Sequence, residues 1–299
     1  MSNLSQKQVD EVIGVINIKH GTNYRFLSRF DKGADGAYRI AEPRRKVVVL
    51  KFLSDLQSSN IVDADPELSK KITDRLLSLG YLLPKYIHTG TLGAKGLYWV
   101  QEELPGKPLW QNPTVGQIEQ LLSLLELQRN QAISIKQNWS SFVKDTVFGD
   151  KTKKANLLKK YSKETDRFLN NMMLSVKGLE KLSLPREDVV HGDFSYQNAM
   201  IENGKIVGII DWQEAGCGNW LIDLTRLIYS LHDRPVLATP IMKKIRGQDL
   251  SRIKIYTVFA ALDMVSWQIE HNRAGVEIDK AFNKAKSAFN FVFVKNCAY

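Results

Sequence analysis

The chain has little of what builds covalent or thiolate frameworks. Cysteine occurs twice in 299 residues, at Cys217 and Cys297, too few for a disulfide scaffold or a thiolate metal site. The five histidines are scattered without an HxxxH-type ligand spacing, which argues against structural zinc. No stretch reaches the roughly 18 uncharged apolar residues that a membrane-spanning helix needs. The opening MSNLSQKQVDEV lacks the apolar core of a secretory signal. Internal repeats and low-complexity tracts are missing as well. These absences predict a cytoplasmic protein with no membrane association.

What is present suits a globular fold: 43% hydrophobic and 25% charged residues allow a sizeable core. The net charge of +10 admits nucleic acid or small anions as partners. No RNP, zinc-finger or helix-turn-helix signature accompanies it, so a nucleic-acid partner is not expected. Nothing in the sequence signals an obligate protein partner.

The patterning changes along the chain. NYRFLSRF, AYRIAE and KVVVLKFL, between residues 23 and 53, are short aromatic or β-branched runs separated by DKGADG and PRR, as in a β-meander. PELSKKITDRLLSLG, from Pro66 to Gly80, has a proline suited to a first helical turn and a glycine suited to an end. KYIHTG and GLYWVQEEL read as two further strands. The Pro/Gly-rich LPGKPL then marks a break, and the segments beyond it are mostly of helical period, at 118–128, 153–181, 220–232, 236–246, 249–272 and 276–294. The spacing thus predicts a β-rich lobe over 1–103 and a mostly helical lobe over 104–299, with ligands expected where two such lobes meet.

One polar segment interrupts the helices: DVVHGDFSYQNAMIENGKIVGIIDWQ, at 188–213. Asn203-Gly204 is a two-residue hairpin signal, and such a hairpin would bring Asn198 and Asp211 toward one another. A carboxamide oxygen and a carboxylate suit Mg²⁺, a hard cation that keeps water and phosphate in its shell. Asp193 is then free to orient or deprotonate a nucleophile. Metal for phosphates and a carboxylate for a hydroxyl are the needs of phosphoryl transfer. A buried polar network or a set of turn caps would account for the same residues without chemistry.

HGDFSYQN with IDW at 210–212 resembles the aminoglycoside phosphotransferase and choline kinase-like family, itself similar to the protein kinases. LKFL at 50–53, VQEELPGKPL and GNWLIDLTRL extend the resemblance over most of 25–232. It implies an α+β, bilobal protein-kinase-like fold with an antiparallel β N-lobe and a mostly helical C-lobe. It also implies an ATP-dependent small-molecule kinase that moves the γ-phosphate to a hydroxyl. Asp193 would be the catalytic carboxylate, and Asn198 and Asp211 the Mg²⁺ ligands. Lys51 would meet the α- and β-phosphates, paired with a carboxylate on the next helix, for which Glu67 is the candidate, with Asp74 two turns on. The base would bond to the Glu102 carbonyl and the Leu104 amide; GTP stays open, because that hinge reads the base through backbone. Asp223 would buttress the catalytic loop. Gly33 and Gly36 only loosely match a nucleotide glycine loop. A non-catalytic nucleotide-sensing module is the alternative of another class.

The acceptors implied range from aminoglycosides to choline-like amino alcohols, sugars and macrolides. A polycation would want an acidic pocket, yet the helical lobe has 27 basic against 20 acidic side chains. In ALDMVSWQIEHN, Asp263, Trp267 and Glu270 share one helical face and could hold an ammonium group. An ordinary amphipathic helix explains that spacing without a ligand, and is the favoured reading.

Overall fold

In the computed structural model, residues 5–30, 36–43, 46–53, 64–93, 96–110, 112–149, 153–271 and 273–296 are described. The chain divides into two compact units, Met1–Pro108 with Ala199–Ala215, and Leu109–Asn198 with Gly216–Tyr299. The sequence pattern places the division after residue 103. The structure moves it to 108 and adds the Asn-Gly hairpin to the first unit.

The first unit begins with α1 (Gln6–His20), which the sequence reading does not anticipate. Its start is a capping box: Ser5 Oγ accepts from the Gln8 amide and the Gln8 side chain returns to the Ser5 amide. Val9, Val12, Ile13 and Ile16 form its buried stripe. They pack on one face of an antiparallel sheet, against Tyr38, Ile40, Val48, Leu50, Tyr98 and Val100. The sheet consists of β1 (Arg25–Arg29), β2 (Ala37–Ala41), β3 (Val47–Leu53), β4 (Tyr86–Thr91) and β5 (Leu97–Glu102), in the order β1-β2-β3-β5-β4. Alternation sends Trp99 to the face opposite Tyr98 and Val100, where its indole N–H donates to Ser69 of α2 (Pro66–Ser78) at 2.8 Å. Asp65 caps α2 by accepting from the Glu67 and Leu68 amides, and Pro66 takes its first turn.

The hairpin forms as its signal predicts, from β8 (Ala199–Glu202) and β9 (Lys205–Ile209) with Asn203 and Gly204 both at positive φ. A two-residue strand, β6 (Lys107–Pro108), pairs with Ile201 and Met200. Gly106 permits this approach, since a Cβ there would lie 2.1 Å from the Ile201 carbonyl oxygen. The Ile209 amide also donates to the Leu82 carbonyl, and Trp212 packs edge-on to Tyr81. These bonds tie the hairpin to the β-rich unit.

His20 stacks on His88 with ring centroids 4.1 Å apart, and its Nε2 lies 2.7 Å from the Tyr98 hydroxyl. Burial lowers the pKa of both rings; Lys19 adds to the effect at His20, and His20 to that at His88. A depressed folded-state value means that the unfolded chain binds more protons below the ordinary value of 6.5. Stability of this unit should therefore fall as pH drops from that value toward the depressed ones. His88→Phe keeps the stacking and removes a proton site, so its melting temperature should depend less on pH between 7 and 5. An acid slope equal to that of the wild type would refute this account.

The second unit contains α3 (Val115–Leu127), α4 (Trp139–Phe148), α5 (Lys153–Tyr161), α6 (Lys163–Ser175), α7 (Leu221–Leu231), α8 (Pro235–Ile245), α9 (Leu250–Glu270) and α10 (Gly275–Asn296). The lysine-rich stretch is two helices, not one, because Ser162 caps α6 through Thr165. Helix α9 is the centre of the unit, buried from Ile253 to Val265 on several sides, with α4, α5, α7 and α10 against it. A short antiparallel pair, β7 (Asp188–Val190) with β10 (Gly216–Gly218), buries Cys217 opposite Val189. Among the described residues, no helix is long and apolar enough to cross a membrane.

Candidate active site

The segment leaving β7 is fixed from below by one carboxylate. Asp223, in the first turn of α7, is fully buried. Its oxygens accept from the His191 amide at 2.7 Å, the Gly192 amide at 2.9 Å and the Gln128 amide group at 2.8 Å. Burial raises its pKa, against the pull of His191 and of these hydrogen bonds. Gly192 is at φ 90 and faces Trp139, whose ring would lie 2.1 Å from a Cβ. Only glycine fits there. Asp193 follows and is exposed.

Asn198 holds Asp193 in place. Its Nδ2 donates to the Asp193 carbonyl at 2.8 Å and to the Asp193 carboxylate at 3.0 Å. With both amide protons used on one side, the Asn198 carbonyl oxygen is directed away from Asp193 and remains an acceptor. The Asp193 amide donates to His191 Nδ1 at 3.2 Å, so the buried His191 serves the loop's backbone. Asn198 ends a 3₁₀ turn, Tyr196–Asn198, and directly precedes Ala199, the first paired residue of β8.

In the first unit, Asp211 follows β9 in the left-handed region, at φ 75 and ψ 45. Non-glycine residues seldom adopt that conformation. Trp212, buried beside it, anchors the turn by donating from its indole to the Ile209 carbonyl at 2.9 Å. Lys51 lies on β3 between buried Leu50 and Phe52, and its ammonium is ion-paired with the Asp211 carboxylate. Glu67, the expected partner, instead accepts from the Thr89 hydroxyl at 3.0 Å, while Asp74 accepts from Lys70 one helical turn back. The N-terminal turn of α2 thus turns Glu67 toward β4. Gly36 is a turn glycine at φ 94, packed against the Phe52 carbonyl; Gly33 lies outside the described residues. Glu102 ends β5, and the Leu104 side chain packs where Gly208 leaves room.

Asp263, Trp267 and Glu270 lie on α9 as the spacing predicts, but the chain supplies its own cations to them. Asp263 is bound by both Lys154 and Arg226. Burial pushes its carboxyl up, and the two cations outweigh this and hold it at about 2. Glu270 pairs with Lys153 at 3.0 Å. Trp267 stacks on His271 at 4.2 Å, with the Arg273 guanidinium 5.3 Å from its ring. The expected acidic face for a ligand's ammonium is therefore corrected to an internally neutralised one. Gln128 and Lys154 carry no motif, Arg226 has no role of its own within GNWLIDLTRL, and their partners are remote in sequence, so the sequence reading passes over them.

The comparisons with known proteins fall on this frame. A family model described as a phosphotransferase enzyme family matches residues 27–256. No curated protein matches. Among solved structures, aminoglycoside phosphotransferase APH(4)-Ia is 14% identical with a TM-score of 0.69, covering 95% of this chain and 99% of its own. Choline kinase LicA from Streptococcus pneumoniae is 14% identical with a TM-score of 0.69, covering 93% and 99%. Spectinomycin phosphotransferase APH(9)-Ia, in complex with ADP and spectinomycin, is 16% identical with a TM-score of 0.60, covering 94% and 98%. At such identities the likeness is one of fold. The family match spans most of the chain: the chain belongs to the phosphotransferase enzyme family, and its fold is α+β and protein-kinase-like.

Proposed function

We propose that the protein transfers the γ-phosphate of ATP to a hydroxyl of a small molecule. Asp193 orients that hydroxyl and takes its proton. The observation that carries this reading is the double clamp on Asp193: Asn198 bonds both its carboxylate and its carbonyl, and Asp223 fixes the two preceding amides. A module that only sensed nucleotide would need no such pre-set proton acceptor. Solved structures of similar fold in complex with ADP and hygromycin B, or with ADP and spectinomycin, support a nucleotide co-substrate.

The donor set fits Mg²⁺. The Asn198 carbonyl oxygen and the Asp211 carboxylate are hard oxygen donors, few enough to leave room for phosphate oxygens and water. When bound, the metal would neutralise charge on the phosphates. Lys51 brings a second positive charge for them, and its present pairing shows that its ammonium reaches an anion at the end of β9. Asp211→Ala should weaken Mg-ATP binding by about tenfold or more, the loss of one charged contact, as read by calorimetry. Unchanged affinity would remove Asp211 from the metal site. Acceptor identity is read by coupled ADP release over hydroxyl compounds of differing charge; a chain that released no acceptor-dependent ADP with any of them would contradict the kinase reading.

A further inference from the structure

Two cations of the helical unit pack on aromatic rings, one of them on the loop that carries Asp193. Arg234, between α7 and α8, lays its guanidinium over the ring of buried Tyr196, 5.8 Å from the centroid. Tyr196 begins the turn that ends at Asn198. Lys284, half-buried on α10, places its ammonium 5.2 Å from the ring centroid of Tyr229 on α7. Burial holds Lys284 below the usual lysine range; exposed Asp233 draws it back up, and Arg234 pushes it down again. Asp233 thus does not outweigh burial and the Arg234 charge at this ammonium. An incoming anion would offset them.

The carboxylates that spacing offered to a cationic ligand are already engaged, Asp263 by Lys154 and Arg226 and Glu270 by Lys153. A polycationic acceptor would have to displace these groups; Lys153 is exposed, but Lys154 and Arg226 are largely buried and would lose their carboxylate there, which is costly. At Lys284 an anionic acceptor has to compete with one exposed carboxylate, Asp233, which leaves the lysine below its usual range.

We propose that the acceptor carries an anionic group, carboxylate or phosphate, besides the hydroxyl to be phosphorylated, and that Arg234 and Lys284 seat that group beside the catalytic loop. This rests on the phosphotransferase reading above and adds to it the charge class of the substrate. A carboxylate and a phosphate ester share the chemistry that the two cations recognise, and the test separates them.

Binding is measured by calorimetry on the full chain, with and without saturating Mg-AMP-PNP, the nucleotide keeping free anions off the phosphate subsite. Gluconate is the carboxylate probe and glycerol 3-phosphate the phosphate probe; glycerol and glucosamine are the neutral and cationic counterparts. At least one anion should bind the nucleotide-loaded protein better than either counterpart. Arg234→Gln and Lys284→Met, which keeps the apolar stem, should each weaken that anion about tenfold, the loss of one charged hydrogen bond. Mg-AMP-PNP affinity should not change in either variant, whereas a merely structural loss would lower it. Arg234→Glu should turn the preference toward glucosamine. The proposal is overturned if neither anion binds the wild type, if both variants bind it unchanged, or if glucosamine is preferred from the start. Loss of Mg-AMP-PNP binding with anion binding intact would count against the phosphotransferase reading instead.

Discussion

Replacing Asp193 with alanine is expected to cut turnover by about 10²–10⁴-fold, the range for removing a positioned general base. Mg-nucleotide affinity should stay the same, because the proposed metal ligands are Asn198 and Asp211. Since Asp193 acts on the hydroxyl as it attacks, kcat and kcat/KM should fall together. Asp193→Asn makes the sharper control. Its amide oxygen can still accept from Asn198 Nδ2, now at 3.0 Å from the carboxylate, so the loop keeps its shape. The amide cannot take a proton, so turnover should fall nearly as far as with alanine. If Asp193→Asn turned over at close to the wild-type rate, the carboxylate would have no role in the chemistry.

The strands of the first unit were legible because their runs are short, β-branched and bounded by turn residues, and the hairpin because Asn203-Gly204 admits few other conformations. Helix α1 was readable in principle: Ser5 and Gln8 form a capping box, and Val9, Val12, Ile13 and Ile16 keep helical spacing. Likewise Ser162 signals the break between α5 and α6, yet the apolar period runs on across it. Nonlocal pairings were the true blind spot. Two residues of β6 and single contacts from Leu82 and Tyr81 join the hairpin to the first unit, and no periodicity exists in such short pieces. The spacing of Asp193 and Asn198 within one loop was plain from sequence, and the bond between their side chains is local. By contrast, Lys154 is 109 residues from Asp263, so a pattern that looked like a cation site gave no hint that the chain fills it itself.

Asp223→Ala should be the most destabilising single change at this loop. The carboxylate is 0% exposed and accepts three hydrogen bonds, from His191, Gly192 and Gln128. Alanine would take this acceptor from the buried His191 and Gly192 amides and from Gln128, whose amide group also donates to the Val189 carbonyl at 3.0 Å, and each group left unsatisfied costs about 1–3 kcal/mol. Partial relaxation or an entering water would recover some of this, so a loss on the order of 3 kcal/mol or more is expected, measured by urea denaturation. Asp223→Asn separates shape from acceptor capacity. Its single oxygen can serve His191 and Gln128, which both bond to Oδ2. Its amide nitrogen would then meet the Gly192 N–H, donor against donor, where Oδ1 now accepts at 2.9 Å. The asparagine variant should thus fold with a smaller penalty but carry a displaced Gly192. Because Asp193 is the next residue, kcat should fall with little change in nucleotide affinity. An asparagine variant with wild-type stability and kcat would show that Asp223 merely fills space and that the loop holds its geometry without it.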